Sequence, residues 1–125
     1  MGTDGKWSRL NKKLIEFMET NDFFGLGTIY YEMADFLEKE DKNNDHLKRF
    51  GYYAKLQHQI NELERLKRLG CKEVKILTDR ESCVVCKKSN HRTLSLKEAE
   101  FLKPLPVEGC AHKYGCRCTY HSVKF

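Results

Sequence analysis

The stretch that decides the fold runs from Cys83 to Cys118 and reads CVVCKKSNHRTLSLKEAEFLKPLPVEGCAHKYGCRC. It holds five of the six cysteines in the 125-residue chain. Cys83 and Cys86 form a CxxC turn, and 23 residues separate this turn from the group Cys110, Cys116 and Cys118. A CxxC turn places two sulfurs on one side of a tight loop, and a distant second group can complete the tetrahedron that zinc prefers. The spacing therefore predicts a structural zinc site.

Only four of the five cysteines are needed as ligands, so the choice among them stays open. Cys116 and Cys118 are two apart, and in an extended segment both side chains would face the site while Arg117 points away. His112 lies between Cys110 and Cys116 and is an alternative ligand. The expected set is Cys83, Cys86, Cys110 and Cys116, with Cys118 as the alternate fourth ligand or a buried thiol beside the site.

Disulfide bonding and thioredoxin-like redox chemistry are two other uses of the cysteines, and both are less consistent with the sequence than zinc binding is. The start of the chain, Met1 to Asn11, is polar, without the apolar core of a signal peptide, so we expect a cytoplasmic protein with reduced thiols. A thioredoxin-like CxxC motif needs a βαβ setting and leaves three further cysteines unexplained.

The sequence lacks the motifs of two classes of zinc enzyme. Neither HExxH nor the His-x-Glu of nucleotide deaminases is present, so we expect no enzyme activity.

Composition divides the chain near Gly70 into two regions. Residues 1–70 hold 12 Lys/Arg, 12 Asp/Glu and no cysteine, whereas residues 71–125 hold 11 Lys/Arg, 6 Asp/Glu and all six cysteines. The sequence therefore predicts a helical region over 1–70 and a basic, cysteine-rich zinc-binding module over 71–125. A module with so few large apolar residues would rely on the metal in place of a core.

Apolar residues recur at helical spacing through the first region and predict three helices. Asn21 or Asp22 is the expected cap of the second helix, and Gly70 the expected stop of the third. Gly25 and Gly27 are expected to allow close approach of a neighbouring helix. The predicted stripes are Leu10, Leu14, Phe17 and Met18; Leu26, Ile29 or Tyr30, Met33, Ala34 and Leu37; and Leu47, Phe50, Ala54, Ile60 and Leu63.

After Gly70 the apolar period changes to two, and Val74 and Ile76 predict a short strand ending at Thr78. Ser95 and Glu98 form a capping box before a helix of about two turns, which Pro104 and Pro106 end. Cys118 to Val123 predicts a final strand. Cys71 lies outside the ligand spacing and is expected to be a small buried core residue.

Two stretches of the chain resemble known families. The helices over residues 7–69 resemble a tetratricopeptide-type helical hairpin continued by one longer helix, and a plain three-helix bundle remains the alternative. The segments containing CVVC, PLPVEGC and GCRC resemble the cysteine-rich C-terminal region of phage minor head proteins related to the Mu F protein, over about 45 of the 125 residues. Under this resemblance Cys110 would replace the histidine of the family's motif. The second resemblance implies a metal-bound fold and phage or prophage ancestry.

The sequence as a whole predicts an α+β protein with a three-helix N-terminal region docked to a small zinc-stabilised β module containing one short helix. The expected function is noncatalytic: a protein-interaction or scaffold module that binds a protein partner or a second copy through the helical half. Nucleic-acid binding by the basic face of residues 71–125 is the alternative. No apolar run is long enough for a membrane span.

Overall fold

The structure, a computed structural model, describes residues 2–78, 84–107, 110 and 115–125. Within these ranges helices and strands are mixed, as the sequence predicts. The elements in chain order are α1 (Gly2–Thr20), α2 (Phe23–Lys39), α3 (Asp45–Arg68), β1 (Glu73–Leu77), α4 (Val84–Lys87), β2 (Thr93–Ser95), α5 (Leu96–Leu102) and β3 (Thr119–Lys124).

The chain forms two compact units, and the division falls inside α3, between Lys55 and Leu56. Of the described residues, the first unit contains 2–55 and 115, and the second contains 56–78, 84–107, 110 and 116–125. The boundary between the two units therefore lies before Gly70, where the composition changes. The last turns of α3 belong to the second unit.

The first unit is built around an apolar cluster shared by its helices. Asp22 caps α2, with its Oδ1 accepting from the backbone amide of Gly25 at 2.9 Å. Trp7 and Phe36 place their rings 5.4 Å apart beside the cluster. Met18, expected in the buried stripe of the first helix, is 52% exposed. The buried members of the cluster are Leu10, Ile29, Met33, Ala34 and Leu47.

Glycines bring α2 and α3 close together within this first unit. A Cβ added at Gly27 would lie 2.6 Å from Cγ of Lys55 and 3.0 Å from the backbone oxygen of Gly51. A Cβ added at Gly51 would lie 2.8 Å from the ring of Tyr31. The expected packing role of Gly27 is therefore confirmed, with Gly51 as its counterpart on α3.

The second unit contains a three-stranded antiparallel sheet in the order β2-β1-β3. On β1, Val74 and Ile76 are fully buried and alternate with partly exposed residues, as the period of two predicts. The capping box of Ser95 and Glu98 begins α5 as expected. The buried face of the sheet packs in one cluster with residues of α3 and α5, namely Leu63, Leu66, Leu96 and Ala99.

Candidate metal centre

Three cysteine sulfurs meet in the core of the second unit. The Sγ atoms of Cys86, Cys116 and Cys118 all lie within 4.8 Å of one another, and those of Cys86 and Cys116 are 3.9 Å apart. The three residues are 0%, 4% and 1% exposed. Thiolates collected at this spacing from separate parts of the chain are the donor set of structural zinc and related soft-metal sites. The cluster could hold a metal ion.

The sheet positions the first of these sulfurs. Cys86 lies in the single turn of α4, and the chain then turns through a hydrogen bond from the Ser89 amide to the Cys86 carbonyl at 3.0 Å. The segment that follows is fastened to β1, because the amide of Ile76 donates to Arg92 O at 2.9 Å and the amide of His91 donates to Ile76 O at 2.8 Å. Cys86 is thereby held beside the central strand.

The other two sulfurs come from the residues just before β3. Cys116 and Cys118 are buried while Arg117 between them is exposed. This is the alternation expected of an extended segment, with both sulfurs in the cluster and Arg117 exposed. The positions of two of the three sulfurs therefore depend on the backbone conformation of the segment from Cys116 to Cys118.

Hydrogen bonds fix this piece of backbone from two directions. The backbone amide of Val107 donates to Sγ of Cys116 at 3.3 Å. The side-chain amide of Gln59, on α3, donates from Nε2 to the carbonyl oxygen of Cys118 at 3.0 Å. The Tyr120 hydroxyl accepts from the backbone amide of Leu105 at 3.3 Å and steadies the loop that leads to Val107.

Electrostatics within the cluster favour one thiolate. The hydrogen bond from the Cys118 thiol lowers the pKa of Cys116 to about 6, against the opposing effect of burial, and the Val107 amide acts in the same direction. The same hydrogen bond, together with burial, raises the pKa of Cys118 well above its ordinary range. These effects favour the thiolate of Cys116 over that of Cys118, and the thiolate is the form in which cysteine binds metals.

The structure places the remaining cysteines differently. Cys110 is half-buried against the same apolar cluster, but its sulfur is not among the three that meet. Cys118, expected as the alternate, takes a place in the group instead. Cys71 is 4% exposed and donates to the carbonyl of Glu73 at 3.2 Å, so its prediction as a core residue is confirmed. Two further candidate ligands, Cys83 and His112, lie outside the described residues.

Sequence reasoning missed Gln59. It is 4% exposed and lies on the face of α3 that carries Leu63 and Leu66, four and seven residues later. A polar residue at the helical spacing of a buried apolar stripe indicates a buried hydrogen bond, because burial of an amide without a hydrogen bond is costly. The predicted stripe of α3 instead followed Phe50, which is 50% exposed, and Ile60.

Comparisons with known proteins supply no relative: no family model, no curated protein and no solved structure matches the chain. The resemblances to Mu F-related and tetratricopeptide proteins therefore stay expectations from the sequence. A search of the described helices for a run long and apolar enough to cross a membrane finds none.

Proposed function

We propose that the protein is a noncatalytic zinc-binding protein in which the metal stabilises the second unit. The observation that carries the proposal is the convergence of three buried sulfurs, those of Cys86, Cys116 and Cys118, within 4.8 Å. We propose zinc because tetrahedral sites rich in thiolates favour this metal and because Zn²⁺ is not redox-active. Cys83, three residues before Cys86 in the CxxC turn, is the proposed fourth ligand, and Cys110 is the alternative.

Four thiolates would leave no coordination position for water or substrate, which is why we propose a closed structural site and no enzyme activity. Zinc with four thiolates carries a net charge of about −2, and cationic side chains nearby would offset it. Lys87 and Lys88 follow Cys86 directly and are exposed. The resemblance to the Mu F-related region supports the same metal-bound arrangement and, with it, a phage or prophage ancestry.

The test is elemental analysis of protein purified under reducing conditions. We expect one zinc per chain in the wild type and in Cys71→Ser, whose sulfur lies outside the cluster. Cys86→Ser should lose the zinc together with cooperative unfolding of the sheet. A comparison of Cys83→Ser with Cys110→Ser identifies the fourth ligand, since only the true ligand is needed for full occupancy. Wild-type protein that contains no zinc while its sheet stays folded would contradict the proposal.

The helical half is proposed as the interaction or scaffold surface. Large apolar side chains exposed on its three helices support this proposal, since exposed apolar surface marks interaction sites where it forms a patch. Sedimentation velocity at rising concentration tests self-association, and co-purification tests a partner. A protein that sediments as a single monomeric species and co-purifies with no other protein would contradict the proposed interaction role. The side chains concerned are Ile15, Met18, Phe24, Phe50 and Tyr53, which are 41–62% exposed.

Nucleic-acid binding is the second candidate, favoured by exposed basic residues in the cysteine-rich region. Phosphate contacts would make such binding strongly dependent on salt. Elution from heparin near or below physiological ionic strength would end this alternative, and retention well above it would favour it over the protein-partner role. The described residues concerned are the exposed Lys72, Lys87, Lys88, Arg92 and Arg117, together with the half-buried Lys75.

A further inference from the structure

Gln59 stands out as a buried polar side chain in an apolar setting. It is 4% exposed, in the part of α3 that belongs to the second unit. Its neighbours on the same helical face, Leu63 and Leu66, join the main apolar cluster of that unit. An apolar residue at position 59 would extend this cluster, whereas an amide must recover the cost of its burial by hydrogen bonding. The burial of this amide therefore requires a specific hydrogen-bond partner.

That partner is the backbone that carries two of the clustered sulfurs. Nε2 of Gln59 donates to the carbonyl oxygen of Cys118 at 3.0 Å. A carbonyl oxygen can only accept, so the amide nitrogen is the atom that must face it. The bond links residues 59 apart in the chain and is buried. It is a long-range constraint on the segment from Cys116 to Cys118.

The geometry of this segment matters because both sulfurs must point at the same centre. Cys116 and Cys118 precede β3 and are not part of its ladder, which begins at Thr119. The Val107 amide constrains Cys116 through its sulfur, and the Gln59 amide constrains Cys118 through its carbonyl. The Cys118 carbonyl carbon is bonded to the Cα that carries the sulfur, so a shift of this backbone would move the Cys118 sulfur relative to Cys86. The hydrogen bond from Gln59 opposes that shift.

We propose that Gln59 is a positioning residue for the metal site, fixing the Cys118 backbone so that Cys116 and Cys118 present their sulfurs together. This inference rests on the proposed function, since it concerns the same zinc. Groups that orient metal ligands without touching the metal typically contribute a factor of about 10 to 100 in affinity. Loss of the Gln59 donor should therefore weaken zinc binding and alter the coordination geometry.

The experiment compares three substitutions on α3. Gln59→Met keeps the length of the side chain but removes the donor. Gln57→Met is the matched control, since exposed Gln57 donates to Asn61 Oδ1 at 2.8 Å, away from the cysteines. Leu66→Val weakens the shared core without touching the Cys118 carbonyl. Zinc affinity is measured by competition with a chromophoric chelator, and geometry by the visible absorption bands of the protein loaded with Co²⁺.

We expect Gln59→Met to bind zinc about tenfold or more weakly than the wild type and to show shifted cobalt bands. Gln57→Met should match the wild type in both measurements, and Leu66→Val should keep the wild-type spectrum. If Gln59→Met does not fold, Gln59→Asn, with a shorter amide, replaces it and should show the same spectral shift.

Two results would overturn the inference while the proposed function stands. One is a Gln59 variant with wild-type affinity and spectrum. The other is a loss of affinity no larger than that of Leu66→Val with an unchanged spectrum, which would reveal a purely structural role. Wild-type protein that takes up neither zinc nor cobalt would instead overturn the proposed function and this inference together.

Discussion

At the scale of single residues, the start of α5 shows how two side chains set a local boundary. The Ser95 Oγ accepts from the Glu98 amide at 3.1 Å, and the Glu98 carboxylate accepts from the Ser95 amide at 3.0 Å. The reciprocal pair satisfies two amides that a helix leaves without internal partners. Because β2 ends at Ser95, the same cap also ends the strand.

The capping box predicts a pH effect that can be measured at one residue. Hydrogen bonds from the Ser95 backbone and side chain lower the pKa of Glu98. A carboxyl with a lowered pKa contributes stability above its unfolded-state pKa, and this stability is lost as the pH falls through the folded-state pKa. NMR titration should show Ser95→Ala shifting the Glu98 pKa upward in part, because the side-chain hydrogen bond is lost while the backbone amide of residue 95 still donates to the carboxylate. An unchanged Glu98 pKa in Ser95→Ala would contradict the prediction.

Residue patterns predicted the convergence of the cysteines but not the full membership of the cluster. The CxxC turn and the distant group indicate that the sulfurs meet. Whether Cys110 or Cys118 approaches Cys86 depends on the direction of the backbone before β3, which hydrogen bonds from Val107 and Gln59 determine. The Gln59 bond joins residues 59 apart and the Val107 bond residues 9 apart, and neither produces a spacing pattern in the sequence.

At the scale of elements, the crossing of α2 and α3 depends on glycine. Gly27→Ala should destabilise the protein by about 1–3 kcal/mol, because the added methyl lies 2.6 Å from Lys55 Cγ and forces the helices apart. The clash outweighs the gain of about 1 kcal/mol that alanine normally brings to a helix. Denaturant unfolding of the two proteins gives the difference directly.

Gly5→Ala is the control for that experiment. Among the described side chains its added methyl would meet Arg9 Nη1, at 3.8 Å, so the helix propensity of alanine should raise the stability of α1 by up to about 1 kcal/mol. Equal effects of the two substitutions would show that α2 and α3 do not need the glycine contact.

Element boundaries with a local chemical cause were predictable. Asp22 caps α2, Gly70 ends α3 with φ of +88°, and Ser95 begins α5. Apolar periodicity did not predict the strand β2, because the three residues Thr93–Ser95 are too short to show alternation. Among the described residues this strand pairs with β1. Its pairing is a tertiary contact, so local sequence carries little of it.

At the scale of the whole molecule, the two units differ in what fills their cores. The cluster of the first unit consists of aliphatic side chains and Met33, with partly buried aromatic rings packed against it. The cluster of the second unit includes the buried sulfurs Cys86, Cys116 and Cys118 among its members. If those sulfurs bind zinc, the metal lies inside the apolar core of the second unit, and its loss removes a cross-link between separate segments of that unit.

Removal of the metal should therefore affect the two units unequally. Treatment with a strong chelator under reducing conditions should reduce hydrogen-exchange protection of the Ile76 amide, bonded to Arg92 O at 2.9 Å, by more than tenfold. Amides in the middle of α2, such as that of Met33, should keep most of their protection, because their core contains no sulfur ligand among the described residues. Readdition of zinc should restore Ile76, and Cys86→Ser should resemble the chelated wild type without added chelator. Equal loss in both units would show that they unfold as one cooperative body, and unchanged exchange at Ile76 would show that the sheet holds together without a metal.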